Sequence, residues 1–239
     1  MNKQSRSGFT LMEVLLAITV VAVLLTTFLA VFGPAANTIR RTLSAQEADR
    51  LFSALEKEMS SLREDEIGQF DTPFDKAFDW VNNSSSLDSA VILFNYRGDT
   101  TQIINGELAP YTDTTGSPGQ DYLIQPAVRR VGDNSNGLEN LMEAIEGDAF
   151  VVQMRQLVRD GNTGGLTATP TGGSIVSAAG ESASSSEDFE DAAIAFQAEF
   201  YLLPANTFQY VSVGLSSGSS DFSTVLGEPL FSRPMAVRR

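Results

Sequence analysis

The chain has 239 residues, a formal charge of −14, and neither cysteine nor histidine. Ser-His-Asp and Cys-His triads, thiol redox chemistry, disulfide staples and the usual His/Cys zinc sites are therefore excluded. The acidic balance disfavours nucleic-acid binding by bulk charge, and no phosphate-cradling GxxxxGK[ST] or GxGxxG run occurs.

Residues 1–8 (MNKQSRSG) are a short basic leader. From Phe9 to Phe32 the chain is apolar, and Glu13 is its only ionisable residue. As a helix this run spans about 36 Å, enough for a tilted membrane crossing. Thr10, Thr19, Thr26 and Thr27 can place their hydroxyls on preceding carbonyls, whereas a carboxylate facing lipid is costly and demands a functional partner. The apolar part of a secretory signal peptide is about 7 to 15 residues long and ends at a small-residue cleavage site. This run is too long, and its only such candidate, Ala35-Ala36, adjoins Pro34. Gly33-Pro34 marks a kink or the exit from the bilayer. Lys3, Arg6 and the Met1 amine outnumber Arg40 and Arg41 slightly, which favours an inward N-terminus.

The helical pattern continues over 33–67. Ile39, Leu43, Ala48, Leu51, Phe52, Leu55, Met59 and Leu62 form an apolar stripe that predicts packing on a sheet of the same chain. Gly68 is the expected stop. Thr72-Pro73 offers an N-cap and first-turn proline for a short helix through Trp80. Ser89–Tyr96 and Thr100–Ile104 predict a hairpin turning at Arg97-Gly98-Asp99. Leu138, Leu141, Met142 and Ile145 predict a short helix after Asn136, and Ala149–Val158, Ala192–Leu203 and Thr207–Leu215 predict further strands. A helix is the alternative at the start of Ala192–Leu203. Leu230–Val237 predicts an edge strand, where Pro234 is tolerated. Gly161–Glu187 predicts a flexible Gly/Ser/Thr-rich excursion, with Thr112–Asp121 and Ser216–Asp221 as further polar loops. The roughly 170 residues beyond the long helix suffice for one α+β head, 68–239.

The run Gly8-Phe9-Thr10-Leu11-Met12-Glu13, followed by an unbroken apolar helix, resembles the class III signal of type IV pilins and type II secretion pseudopilins. The resemblance covers about the first 32 residues. It implies cleavage by a membrane prepilin peptidase between Gly8 and Phe9, methylation of the new Phe9 amine, and Glu13 as the fifth residue of the mature chain. Many major pilins carry a proline near mature position 22, where this chain has Ala30; its own proline, Pro34, comes later. Losing Lys3 and Arg6 with the leader moves the formal charge from −14 to −16.

Cleavage creates an α-amine, with an ordinary pKa of roughly 7.7 to 8.0, four residues from Glu13 in a low-dielectric setting. In a staggered bundle Glu13 can neutralise the Phe9 amine of a neighbour and fix axial register. The resemblance thus implies a pilin-like fold, a long N-terminal helix on an antiparallel sheet. It further implies a non-enzymatic subunit of a filament, partnered by the peptidase, by other pilins or pseudopilins and by the inner membrane, with the head in the periplasm or outside the cell.

The length and extended loops point to a minor subunit, and Glu47–Met59 is similar to the J-type minor pseudopilins. The alternative is a membrane-anchored binding module that uses the signal only for export. No metal ligand set or cofactor motif stands out. The acidic stretches Asp113–Asp121, Asp160-Gly161-Asn162 and Glu187–Asp191 are candidate places for calcium, although none has EF-hand spacing.

Overall fold

The computed structural model describes residues 10–132, 135–161, 163–170, 172–215 and 222–239. Its contacts divide the chain into two units, Met1–Leu43 and Ser44–Arg239. The first is the N-terminal part of helix α1 (Leu11–Met59), and the second contains the rest of α1 and everything beyond.

In the first unit the helix continues through Gly33 and Pro34. Thr19, Thr26 and Thr27 donate their hydroxyls to the carbonyls of Leu15, Ala22 and Val23 at 2.7–2.9 Å, so these three hydroxyls need no outside partner. Its large apolar side chains are all exposed, as are Ile39 and Leu43 from the expected stripe.

The second unit is built on an antiparallel seven-stranded sheet. β1 (Val91–Ile104) pairs on one side with β3 (Tyr122–Arg130). On the other side it pairs first with β4 (Ile145–Arg159) and then with β2 (Glu107–Pro110). The handover falls at Arg97, whose N–H donates to Ala144 O and whose carbonyl accepts from Tyr111 N. β6 (Ala193–Leu202) follows β4, and β7 (Phe231–Arg238) closes that edge; β5 (Leu166–Ala168) pairs with the end of β4.

Burial alternates along the strands. Val91, Leu93, Phe150, Val152, Phe196 and Phe200 point to one core, where Ala48, Leu51, Leu55 and Met59 of α1 and Phe74, Phe78, Trp80 of α2 (Pro73–Asn82) cover them. Ile92, Phe94, Ala149, Val151 and Tyr201 point to a second core. That core is closed by Leu138, Leu141 and Met142 of α3 (Ser135–Glu143), by Val211 and Leu215, and by Phe222 of α4 (Phe222–Leu226). Covering both faces lets the central strands read as nearly unbroken apolar runs.

The head is thus α+β, as expected, and α1 packs on the sheet through Ala48–Met59. Four expectations are corrected. The helix stops at Met59, short of Ile67, because Ser60 and Ser61 bond back to Glu56 and Lys57 carbonyls and Arg63 and Glu66 turn into an ion cluster. No hairpin forms at Arg97-Gly98-Asp99. Gly98 stays in the strand because a Cβ there would lie 2.8 Å from that of Leu108, and the turn is Asn105-Gly106, both at positive φ (51° and 80°) as a type I′ hairpin requires. Thr207–Leu215 is not a strand. It holds a π-helical turn, Tyr210–Gly214, placing Val211 and Leu215 on the second core. Ile145 begins β4 rather than ending α3. The expected strand at Ala192–Leu203 forms as β6, without the alternative helix at its start.

The Gly161–Glu187 excursion is tied at its middle. Gln156 brackets Val176 by accepting from its N–H (2.8 Å) and donating to its carbonyl (2.7 Å), while Ile175 is buried. Both full-length edges carry a proline, Pro126 in β3 and Pro234 in β7, which removes a donor from a row that otherwise invites strand addition. Ser216–Asp221 lies outside the described residues.

Candidate functional site

Gly8 and Phe9 lie outside the described residues. Glu13 and Thr10 are placed, and they bond to each other. The Glu13 carboxylate accepts from Thr10 N–H at 2.8 Å and from the Thr10 hydroxyl at 3.0 Å, while Glu13 N–H donates to Thr10 Oγ1 at 3.3 Å. This is a reciprocal capping box of the T-x-x-E type, which satisfies N-terminal helix donors that have no intrahelical acceptor. Sequence reasoning treated Glu13 as a charge awaiting an outside partner and missed the cap, although Thr10-Leu11-Met12-Glu13 spells its signature. Both carboxylate bonds fall on Oε2, so Oε1 retains its accepting capacity.

After Glu13 the helix presents Val14 to Phe32 as an exposed apolar surface, with Phe28 and Phe32 stacked at 3.9 Å. By length and composition it can cross a membrane. A family model for the prokaryotic N-terminal methylation motif matches residues 3–29. The chain carries a prepilin-type signal. That motif spans Gly8, Phe9 and Glu13, and the signal implies processing by prepilin peptidase and assembly with other pilins. The signal and the long apolar helix behind it are consistent with membrane anchoring. No curated protein and no solved structure matches the chain.

In the head the ionisable groups gather differently. Lys76, fully buried, sits between Glu58 Oε1 (2.5 Å) and Glu66 Oε2 (2.7 Å), with its ammonium 4.6 Å from the Trp80 ring centroid. Arg63 joins Glu58, Asp65 and Glu66 and donates to Val128 O in β3. Burial opposes the Arg63 charge, yet the three carboxylates hold its pKa above the ordinary value. The cluster ties the end of α1 to α2 and the sheet. Every charge in it has an opposite neighbour, three carboxylates sharing two cations, as a buried ionic network requires.

Elsewhere Tyr96 is pushed up to about 12, first by burial and then by nearby Glu107, so its hydroxyl stays protonated and donates to Leu108 O. Glu47 is raised by burial first and by Asp148 second.

Several carboxylates of the candidate calcium stretches accept hydrogen bonds within the chain. Asp113 accepts from Thr115, Asp121 from Ser117 N, Asp160 from Thr163, Asp188 from Ser184 and Ser185, and Asp191 from Ala178 N. Asn162 lies outside the described residues. Among the described residues no three carboxylates converge as a metal site requires.

Proposed function

We propose that the chain is a structural, non-catalytic subunit of a type II secretion or type IV pilus-like filament, of the minor or pseudopilin kind. It is inserted in the inner membrane with its N-terminus inside and its head in the periplasm or beyond, cut after Gly8, and methylated on Phe9. The observation that carries this is the methylation motif at 3–29 running without a break into an apolar helix whose sole ionisable residue is Glu13.

The cap on Glu13 fits the assembled state as well as the free one. Thr10 occupies Oε2, and Oε1 can receive the charged Phe9 amine of a neighbour, fixing axial register. The similarity of Glu47–Met59 to J-type minor pseudopilins favours a place at a filament tip.

A second reading, a solitary membrane-anchored binding module, gains from the same geometry. A capping role gives Glu13 a use without any neighbour. The two share processing and separate at assembly. Mass spectrometry of the membrane-extracted chain, with chemical cross-linking to other subunits, tests them in turn. The expected result is an N-terminal peptide starting at methylated Phe9, and a chain found in complexes with other prepilin-signal subunits. A chain that retains residues 1–8, or starts after Ala36, overturns the processing. A correctly processed chain without pilin-like partners selects the anchor.

A further inference from the structure

Helix α1 runs through Gly33 and Pro34 without a break, so position along it converts directly into distance. At 1.5 Å per residue Arg40 lies about 44 Å beyond Leu11, and an ordinary tilt shortens this to about 41 Å. A bilayer with its headgroups is about 40–45 Å thick. With the start of the helix at the inner boundary, Arg40 and Arg41 arrive at the outer headgroup layer.

The side chains of this stretch suit that place. Thr38 and Thr42 donate their hydroxyls to the Pro34 and Thr38 carbonyls at 3.0 and 2.9 Å, which commits them to the helix. Arg40 and Arg41 are exposed and make no ion pair or side-chain hydrogen bond to another described residue. Ile39 and Leu43, flanking the pair, are exposed at 60% and 59%. Guanidinium groups beside uncovered aliphatic side chains are what a boundary between apolar and polar media selects. Helical side chains lean toward the N-terminus, so both guanidinium groups reach back toward the bilayer.

Charge names the ligand. Once the leader has gone, Arg40 and Arg41 are the only cationic side chains before Arg50. Ser44–Arg239 carries 29 acidic and 12 basic residues, a formal charge of −17, and an anionic leaflet repels it. The arginine pair opposes that repulsion at the membrane itself, since the guanidinium fork binds phosphate oxygens two at a time. A zwitterionic headgroup brings its own ammonium to the phosphate, whereas phosphatidylglycerol leaves the phosphate charge uncompensated.

We propose that Arg40 and Arg41 form a collar that binds the phosphates of anionic phospholipids in the outer leaflet of the membrane that α1 crosses, fixing the depth of the subunit before assembly. The proposal rests on the membrane reading of α1 and adds the lipid class to it. The two residues differ by about 1.5 Å in height and about 100° in direction, so each takes its own headgroup.

The full processed chain, extracted from membranes, is titrated in detergent with phosphatidylglycerol or phosphatidylcholine, and bound lipids are counted by native mass spectrometry. The expected result is that phosphatidylglycerol binds at about tenfold lower concentration than phosphatidylcholine. Arg40→Gln/Arg41→Gln loses this preference. Arg50→Gln/Lys57→Gln, which removes the same charge from exposed positions farther along the helix, keeps it. Equal binding of the two lipids overturns the proposal, as does a preference that survives in Arg40→Gln/Arg41→Gln or falls equally in the control. Displacement of the lipid by excess inorganic phosphate also overturns it, because the pair is then a general anion site. Carbonate washing of the source membranes tests the membrane reading separately. A chain that stays in washed membranes without a lipid preference loses the collar and keeps its anchor, and a chain washed out of them loses both.

Discussion

The segment before Ser44 and the head after it bury their apolar groups in opposite ways. In the first, every large hydrophobic side chain from Leu11 to Leu43 is exposed and the threonine hydroxyls bond only to their own helix. In the head, Phe150, Phe196, Phe200 and Trp80 are fully buried, and even a lysine and two glutamates are sealed inside. A surface that satisfies its polar groups internally while leaving its apolar ones uncovered is made for a medium other than water. The head completes itself. Changes on either side should therefore be felt separately, and Trp80, the only tryptophan, reports the head alone.

The largest effect expected on the head comes from Lys76→Ala, which leaves Glu58, Asp65 and Glu66 to share Arg63 as the one remaining cation of the cluster. Breaking one side of such a buried network costs about 3–5 kcal/mol. Urea titration of the full chain in detergent, followed by Trp80 fluorescence, should show that loss while membrane insertion and removal of the leader continue. Thr72→Ala is smaller. It deletes the N-cap of α2, in which Thr72 Oγ1 accepts from Asp75 N–H and donates to the Asp75 carboxylate, and costs about 1 kcal/mol.

The smallest effect depends on pH. Glu47 has its pKa raised above the ordinary 4.5 by burial and by Asp148. The folded head therefore binds that proton more tightly than the unfolded chain does. The charged form is penalised once pH rises through the folded value, and the penalty is absent below the ordinary one. Glu47→Gln should raise the melting temperature at pH 7, and the gain should fade as pH drops through the carboxylate range. A gain that grows in acid would reverse the assignment.

What could be read from the sequence follows from how local its cause is. The N-terminal segment was legible because leader, lone carboxylate and apolar helix are contiguous, and the stripe Ala48–Leu51–Leu55–Met59 repeats at helical spacing. The cap between Thr10 and Glu13 was equally local, and was overlooked because the carboxylate was judged as a charge in lipid before it was judged as a helix terminus. In the head, Arg97-Gly98-Asp99 has turn composition, yet a long-range contact with Leu108 keeps Gly98 in the strand and moves the turn to Asn105-Gly106. β3 went unread because Pro126 and the pair Arg129-Arg130 disguise it. Their places, on an edge and in ion pairs, exist only after the sheet forms. Thr207–Leu215 has strand-like composition but turns into a helix because the second core needs Val211 and Leu215 on one side.

The central claim is that Glu13 has two jobs, capping its own helix and holding a neighbour's amine, and that the second is why the chain carries a charge at that depth. Glu13→Ala and Glu13→Gln in the full chain separate them, since the amide can accept from Thr10 but carries no charge. The decisive quantity is the fraction of each processed variant recovered in sheared filaments relative to the membrane. The account predicts that both variants insert, lose residues 1–8, and keep the head's Trp80 unfolding unchanged, while both fall at least tenfold in filaments. Normal incorporation of Glu13→Gln would contradict it, reducing Glu13 to a helix cap and the chain to an anchored head.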